Sequence, residues 1–176
     1  MTKRQVKQPE VGVLLGSDSD WPLIEDAVKT LHEFDVAFEV RVISAHRTPE
    51  QAAVYAQSAA RRGLKVMIAA AGGAAHLAGV VAAHTNLPVI GIPVKGGALD
   101  GLDALLSTVQ MPGGIPVATV ALGRAGAINA ALLAIQILAL CNEDLNRKLE
   151  QHKKSLKDKV AKGNHRVQVE LEKLLR

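Results

Sequence analysis

The densest group of reactive side chains is Ser44-Ala45-His46-Arg47-Thr48-Pro49, where a hydroxyl, an imidazole and a guanidinium stand just ahead of a proline. Arginine pairs bidentately with phosphate, and histidine, which titrates near neutrality, can take up and return a proton. A histidine taken singly is more often a satisfied surface or core residue. Ser44 and Arg47 beside it make His46 the candidate general acid/base. A second group, Leu15-Gly16-Ser17-Asp18-Ser19-Asp20, combines a turn-forming glycine with hydroxyls at an expected helix start, whose unpaired N–H groups favour an anion such as phosphate. Asp20 would repel a phosphate but accepts well from sugar hydroxyls. Ordinary helix capping by Ser17 and Asp20 accounts for the same residues. A third group, Ala69-Ala70-Ala71-Gly72-Gly73-Ala74-Ala75-His76-Leu77, lacks bulk, so a flat ligand could lie against its backbone near Gly72. Tight helix-sheet packing explains that run equally well, and His76 reads either as a ligand contact or as a helix-terminal histidine.

Other chemistries lack their residues. A dinucleotide fingerprint beginning at Gly16 would need glycines where Asp18 and Trp21 stand, and no Gly-Lys-Ser/Thr step of a P-loop occurs. His32, His84, His152 and His165 have no partner at metal-ligand spacing, so no metal site is expected. The lone Cys141 excludes an internal disulfide and suits a reducing compartment, which points to the cytoplasm.

These groups need a scaffold that presents them together. Short apolar runs, read as strands at 11–15, 37–43, 66–70, 89–92 and 116–120, alternate with helical patterns at 20–33, 49–61, 75–83, 101–109 and 124–140. That alternation is the mark of βαβ units in a parallel sheet with helices on both faces. Most strands are apolar on both faces, while 37–43 alternates and is expected to be less buried. Thr48-Pro49-Glu50 is a clear helix start. In such a sheet, ligands bind beyond the carboxyl ends of the strands, where all three groups fall. A fourth stretch, Val109 to Pro116, is a Pro/Gly-rich loop carrying Met111 and Ile115, expected at an interface, against a ligand, or simply at a strand start.

The organisation expected is an N-terminal arm at 1–10, an α/β catalytic domain at 11–142, and a helical extension at 143–176 whose first helix ends near Gly163. Leu145, Leu149, Leu156 and Val160 form a stripe on that extension, which packs on its own domain or on a neighbouring subunit. The first ten residues do not read as a secretory signal. The longest apolar stretch, Val66 to Ala83, is broken by Gly72, Gly73 and His76, so no membrane span is expected.

Composition narrows the function further. The 176 residues are 48% hydrophobic and 22% charged, with 27 alanines and only four aromatic residues, Trp21, Phe34, Phe38 and Tyr55. A core with so little bulk depends on close backbone approach, and so few rings argue against stacking on nucleobases or flavin. The net charge of +4 resides entirely in 143–176, where acids are interspersed, so a solvated helical face is expected rather than a nucleic-acid surface. A tail-driven nucleic-acid binder and a non-catalytic flavodoxin-like nucleotide-binding module are the rival readings. Loss of salt-dependent nucleic-acid affinity on deleting the tail would support the first, and a yellow colour in the purified protein the second.

Gly-Ser-Asp-Ser-Asp-Trp at 16–21, Ser-Ala-His-Arg-Thr-Pro at 44–49, Ala-Gly-Gly-Ala-Ala-His-Leu at 71–77 and Gln-Met-Pro-Gly-Gly-Ile-Pro-Val-Ala-Thr at 110–119 resemble the PurE family, in order and at consistent spacing. The resemblance implies a three-layer flavodoxin-like fold, a homo-octamer, and carboxyl transfer in de novo purine synthesis without metal, biotin or nucleotide cofactor. The motifs at 46–49 and 72–76 resemble the branch that moves a carboxyl from N5 to C4 of N5-carboxyaminoimidazole ribonucleotide, rather than the branch that carboxylates aminoimidazole ribonucleotide with CO₂. By the same resemblance His46 is catalytic, while Ser17, Asp20, Ser44, Arg47 and Gly72 line the substrate pocket; His76 is a further candidate there. Ala78, Ala104 and the Gly96-Gly97 pair depart from the family pattern outside these motifs.

Overall fold

The computed structural model describes residues 8–176, so most of the expected N-terminal arm lies outside the described residues. The chain forms two compact units, one running to Ile137 and the other covering Leu138–Arg176. In the first, five strands alternate with helices: β1 Val11–Leu15, α1 Trp21–Glu33, β2 Phe38–Val42, α2 Pro49–Ala59, β3 Val66–Ala71, α3 Leu77–Ala83, β4 Val89–Pro93, α4 Leu102–Val109, β5 Ala118–Thr119 and α5 Gly123–Ala139, which runs two residues past the unit. All pairings are parallel in the order β2-β1-β3-β4-β5. This is the flavodoxin-like order, with its switch point between β1 and β3.

The pattern of burial follows from that order. β1, β3 and β4 are the inner strands and are buried almost throughout, which is why they read as continuous apolar runs. β2, the edge, is only half-buried and becomes exposed at Arg41 and Val42, as its alternating sequence predicts. Alanine sets the spacing of the layers: Ala52, Ala56 and Ala59 of α2 and Ala127, Ala130, Ala131 and Ala134 of α5 are all buried. At Gly91 of β4 a Cβ would stand 2.4 Å from Thr108 of α4 and 2.9 Å from Val117, so only glycine lets helix and sheet approach so closely.

Several boundaries differ from the sequence reading, each for a local reason. The first helix is preceded by a 3-10 turn at Asp18–Asp20, closed by a capping box between Ser17 and Asp20. α2 gives way to a 3-10 turn at Ala60–Arg62 and stops at Gly63, whose φ of +94° a side chain disfavours. α3 starts at Leu77 rather than Ala75, because Ala75 has a φ of +26°. β5 keeps just Ala118 and Thr119. In the second unit the expected break at Gly163 is absent, and α6 is one helix, Glu143–Leu174. Glycine inside a helix costs only about 1 kcal/mol relative to alanine, which its helix-forming neighbours outweigh in the absence of proline. Asn142 caps α6, its side chain accepting from the amides of Asp144 and Leu145. Leu145 and Leu149 of the predicted stripe are buried, whereas Leu156 and Val160 are exposed.

Candidate active site

The carboxyl ends of β1, β2 and β3 lie side by side, with Leu15 in register with Val42 on one side and Ala70 on the other. The segments that leave these ends are the three groups singled out in the sequence. They enclose one cavity of about 470 Å³, lined by Ser17, Asp20, Ser44, His46, Arg47, Gly72 and His76 together with Gly16, Ala45, Ala71, Ala75 and Leu77. A larger cleft, about 1010 Å³, opens at the other end of the sheet around His84, Asn86 and Pro116. Its lining carries no Asp, Glu, Lys or Arg, so the smaller cavity is the candidate for chemistry. Gly114, Ile115 and Pro116 of the fourth stretch belong to that larger cleft and stand apart from the candidate site.

The segment 44–48 is closed by its own hydrogen bonds. The Thr48 amide and hydroxyl both donate to the Ser44 carbonyl, at 2.9 and 3.0 Å, and the Ser44 amide donates back to Thr48 Oγ1 at 3.1 Å. Thr48 thus occupies the N-cap position of α2 without capping it; its hydroxyl ties the loop instead. Inside this loop Arg47 donates from its amide and from Nε to Ser44 Oγ, at 3.2 and 3.4 Å, and from Nη2 to the Gly16 carbonyl at 3.3 Å. These bonds go to a hydroxyl and a carbonyl, not to a carboxylate. A guanidinium so held at a cavity wall is suited to an anionic ligand.

Across the cavity, His46 Nε2 and His76 Nδ1 are 2.7 Å apart, with the rings edge to face at a centroid distance of 4.9 Å. At this distance the two ring nitrogens share a hydrogen bond, whichever of them is the donor. Nothing in the spacing of two histidines thirty residues apart reveals this contact. It arises because β2 and β3 flank β1 and stop at the same level.

On the β1 side, Ser17 Oγ accepts from the Ser19 amide at 3.3 Å, and Asp20 Oδ2 accepts from the Ser17 amide at 3.1 Å. The helix cap anticipated as the plain alternative is present, and it commits the Ser17 amide to Asp20. Burial pushes the Asp20 carboxyl above the ordinary aspartate range; the Ser17 amide opposes this, the Asp18 charge reinforces it, and Arg47 pulls the other way. The sequence marks Gly16 as a turn former and 69–77 as a run without bulk, but not the bond by which the Gly16 carbonyl accepts from Arg47, nor that Ala45 joins Ala71, Ala75 and Leu77 in one wall. Groups of three or more His, Cys, Asp or Glu able to hold a metal ion are absent among the described residues.

Residues 10–159 match the family model described as AIR carboxylase. The chain belongs to the AIR carboxylase family. Within that family it is 53% identical to N5-carboxyaminoimidazole ribonucleotide mutase of Bacillus subtilis (strain 168), over 91% of this chain and 99% of that one. It is 57% identical to the mutase of the same name from Mycobacterium tuberculosis (strain ATCC 25618 / H37Rv), over 92% of each. Among solved structures, a variant of Treponema denticola PurE2 superposes with a TM-score of 0.82 at 27% identity, covering 91% of this chain and 98% of that one. In this AIR carboxylase family member, the ends of three adjacent strands bring the arginine, the aspartate and the two histidines to one cavity. No helix among the described residues is long and apolar enough to cross a membrane.

Proposed function

We propose that this protein converts N5-carboxyaminoimidazole ribonucleotide to 4-carboxy-5-aminoimidazole ribonucleotide in purine biosynthesis, moving one carboxyl group from the exocyclic N5 to ring carbon C4. The observation that carries the reading is the His46–His76 pair beside the Ser44-oriented Arg47 in one cavity at the sheet's switch point. Curated relatives that share more than half of their residues with this chain bear the name of that mutase, which supports the same reading.

In this mechanism Arg47 and Ser44 hold the 5′-phosphate, with the Ser17 hydroxyl contributing. Asp20 accepts from the ribose, and the flat imidazole lies against Gly72. The carbamate C–N bond breaks, its electron pair goes to N5, and His46 as imidazolium delivers a proton there. The CO₂ released stays against the apolar wall of Ala45, Ala71 and Leu77, where enamine-like C4 attacks it. His46, now neutral, removes the C4 proton, so the acid is regenerated and the proton count closes. His76 holds His46 in place through both transfers.

The protein is proposed to act in the cytoplasm as a homo-octamer. Self-association is supported by the exposed Leu102, Leu106 and Val109, which follow one face of α4. The test of the activity compares two reactions at physiological substrate levels: N5-carboxyaminoimidazole ribonucleotide alone, and aminoimidazole ribonucleotide with bicarbonate. Efficient turnover of the first alone is expected. Preference for the second assigns the protein to direct carboxylation, and silence with both refutes the reading.

A further inference from the structure

Three residues other than glycine adopt a left-handed φ among the described residues: Asp35 at +60°, Asp100 at +49° and Ala75 at +26°. The two aspartates lie in exposed turns, and aspartate is a residue type that tolerates this region. Ala75 differs on every count. It is apolar and buried, it lines the candidate site, and its φ is strained for a residue with a Cβ. The strain is locked in locally: Gly73 turns the chain at a φ of +60°, the Ala75 amide donates to the Gly72 carbonyl at 3.2 Å, and the His76 carbonyl accepts from Val80 to begin α3.

The next residue along is His76, already helical at φ −76°. The direction in which His76 leaves the turn is therefore set by rotation about the backbone of Ala75. At a relaxed negative φ, the same sequence would carry the His76 ring away from His46. We infer that Ala75 is a positioning residue, its strained backbone holding His76 Nδ1 against His46 Nε2 for the proton transfers assigned to that pair. Strain held at a site whose geometry depends on it exchanges stability for preorganisation. The inference rests on the proposed mutase reading for its kinetic consequence, though not for the contact itself.

The test is Ala75→Gly, because glycine accepts the observed φ without strain and also admits others. The melting temperature is expected to stay level or rise, while kcat falls about 10- to 100-fold, the size of effect a displaced catalytic group produces. KM for the nucleotide should change little, since Arg47 and Ser44 are untouched. A second comparison separates positioning from a general loop defect: in a His76→Ala background, adding Ala75→Gly should lower kcat less than twofold further. The ring-nitrogen NMR shifts of His46 and His76 give an arm that needs no turnover. In the wild type they should report one shared hydrogen bond, weakened in Ala75→Gly. Wild-type kcat in Ala75→Gly, full multiplication of the two losses in the double variant, or unchanged ring shifts would overturn the inference. Absence of wild-type turnover would refute the mutase reading instead, and the NMR comparison would still decide the role of Ala75.

Discussion

Glu39 on β2 accepts from the Tyr55 hydroxyl at 2.6 Å and pairs with Arg62, whose guanidinium carbon lies 4.4 Å from the centre of the Tyr55 ring. A few residues further along, past the carboxyl end of the same strand, Ser44 and Arg47 use their hydrogen bonds to shape a loop, His46 pairs with His76, and all of them line a cavity. The first cluster closes on itself. Burial alone would push the Glu39 carboxyl up, yet the bonds from Tyr55 and Arg62 and the Arg62 charge hold it below the ordinary glutamate range. Burial and the Glu39 carboxylate together drive the Tyr55 phenol well above its ordinary value. Among the polar atoms of that cluster, Arg62 Nη2 is buried without a hydrogen-bond partner, in the guanidinium stacked on the ring. In the second cluster the carboxyl of Asp20 is shifted the opposite way, upward, and His46, Arg47 and His76 remain exposed. Similar side-chain types thus close on one another in the first cluster and stay open to a cavity in the second.

Substitutions should separate the two clusters. His46→Asn keeps a polar side chain, shorter than imidazole, that cannot exchange a proton. It should lower kcat by about a thousandfold or more, within the range for losing a general acid/base, with substrate affinity largely kept; single-turnover kinetics beside a binding titration checks this. Arg47→Lys keeps the charge but loses the forked donors, and should raise KM about 10- to 100-fold with a smaller effect on kcat, seen in steady-state kinetics. Tyr55→Phe belongs to the closed cluster. It should cost about 1–2 kcal/mol of unfolding free energy in a denaturant titration and leave kcat near wild type.

The smallest expected effect is on acid stability. Because the folded Glu39 pKa lies below its unfolded value, its contribution is complete above the unfolded pKa of about 4.3 and is lost as pH falls through the lower folded value. Asp20 has the opposite sign: with a raised folded pKa it favours the folded state at low pH and loses that contribution as pH rises through the folded value. Urea midpoints measured from pH 6 down to pH 3 should therefore fall less steeply in Glu39→Gln than in the wild type. An identical slope in both would show that Glu39 contributes nothing to acid stability.

The sheet was legible because its inner strands are uniformly apolar and its helices fill the gaps between them at βαβ spacing. That the three groups would meet at one cavity was legible because each follows a strand end, where a parallel sheet opens its crevice. What escaped the sequence depends on three-dimensional placement or on backbone energetics. The His46–His76 contact needs the order β2-β1-β3 to bring the two rings together. The hydroxyl of Thr48 had two uses open to it, and the tight turn at 44–48 took it from the helix cap. The φ of Ala75 has no sequence signal, since alanine is the residue least expected to mark strain. Gly163 looked like a helix end, but one glycine does not outweigh a long run of helix formers.

Whether the carboxyl group proposed to move does so within one bound nucleotide is decided by an isotope. N5-carboxyaminoimidazole ribonucleotide labelled with ¹³C in the carbamate is turned over in unlabelled bicarbonate, and the C4 carboxyl of the product is examined by NMR or mass spectrometry. The label should be retained, because the CO₂ is captured in the cavity where it is released. Product carrying mainly unlabelled carboxyl at early times would contradict it.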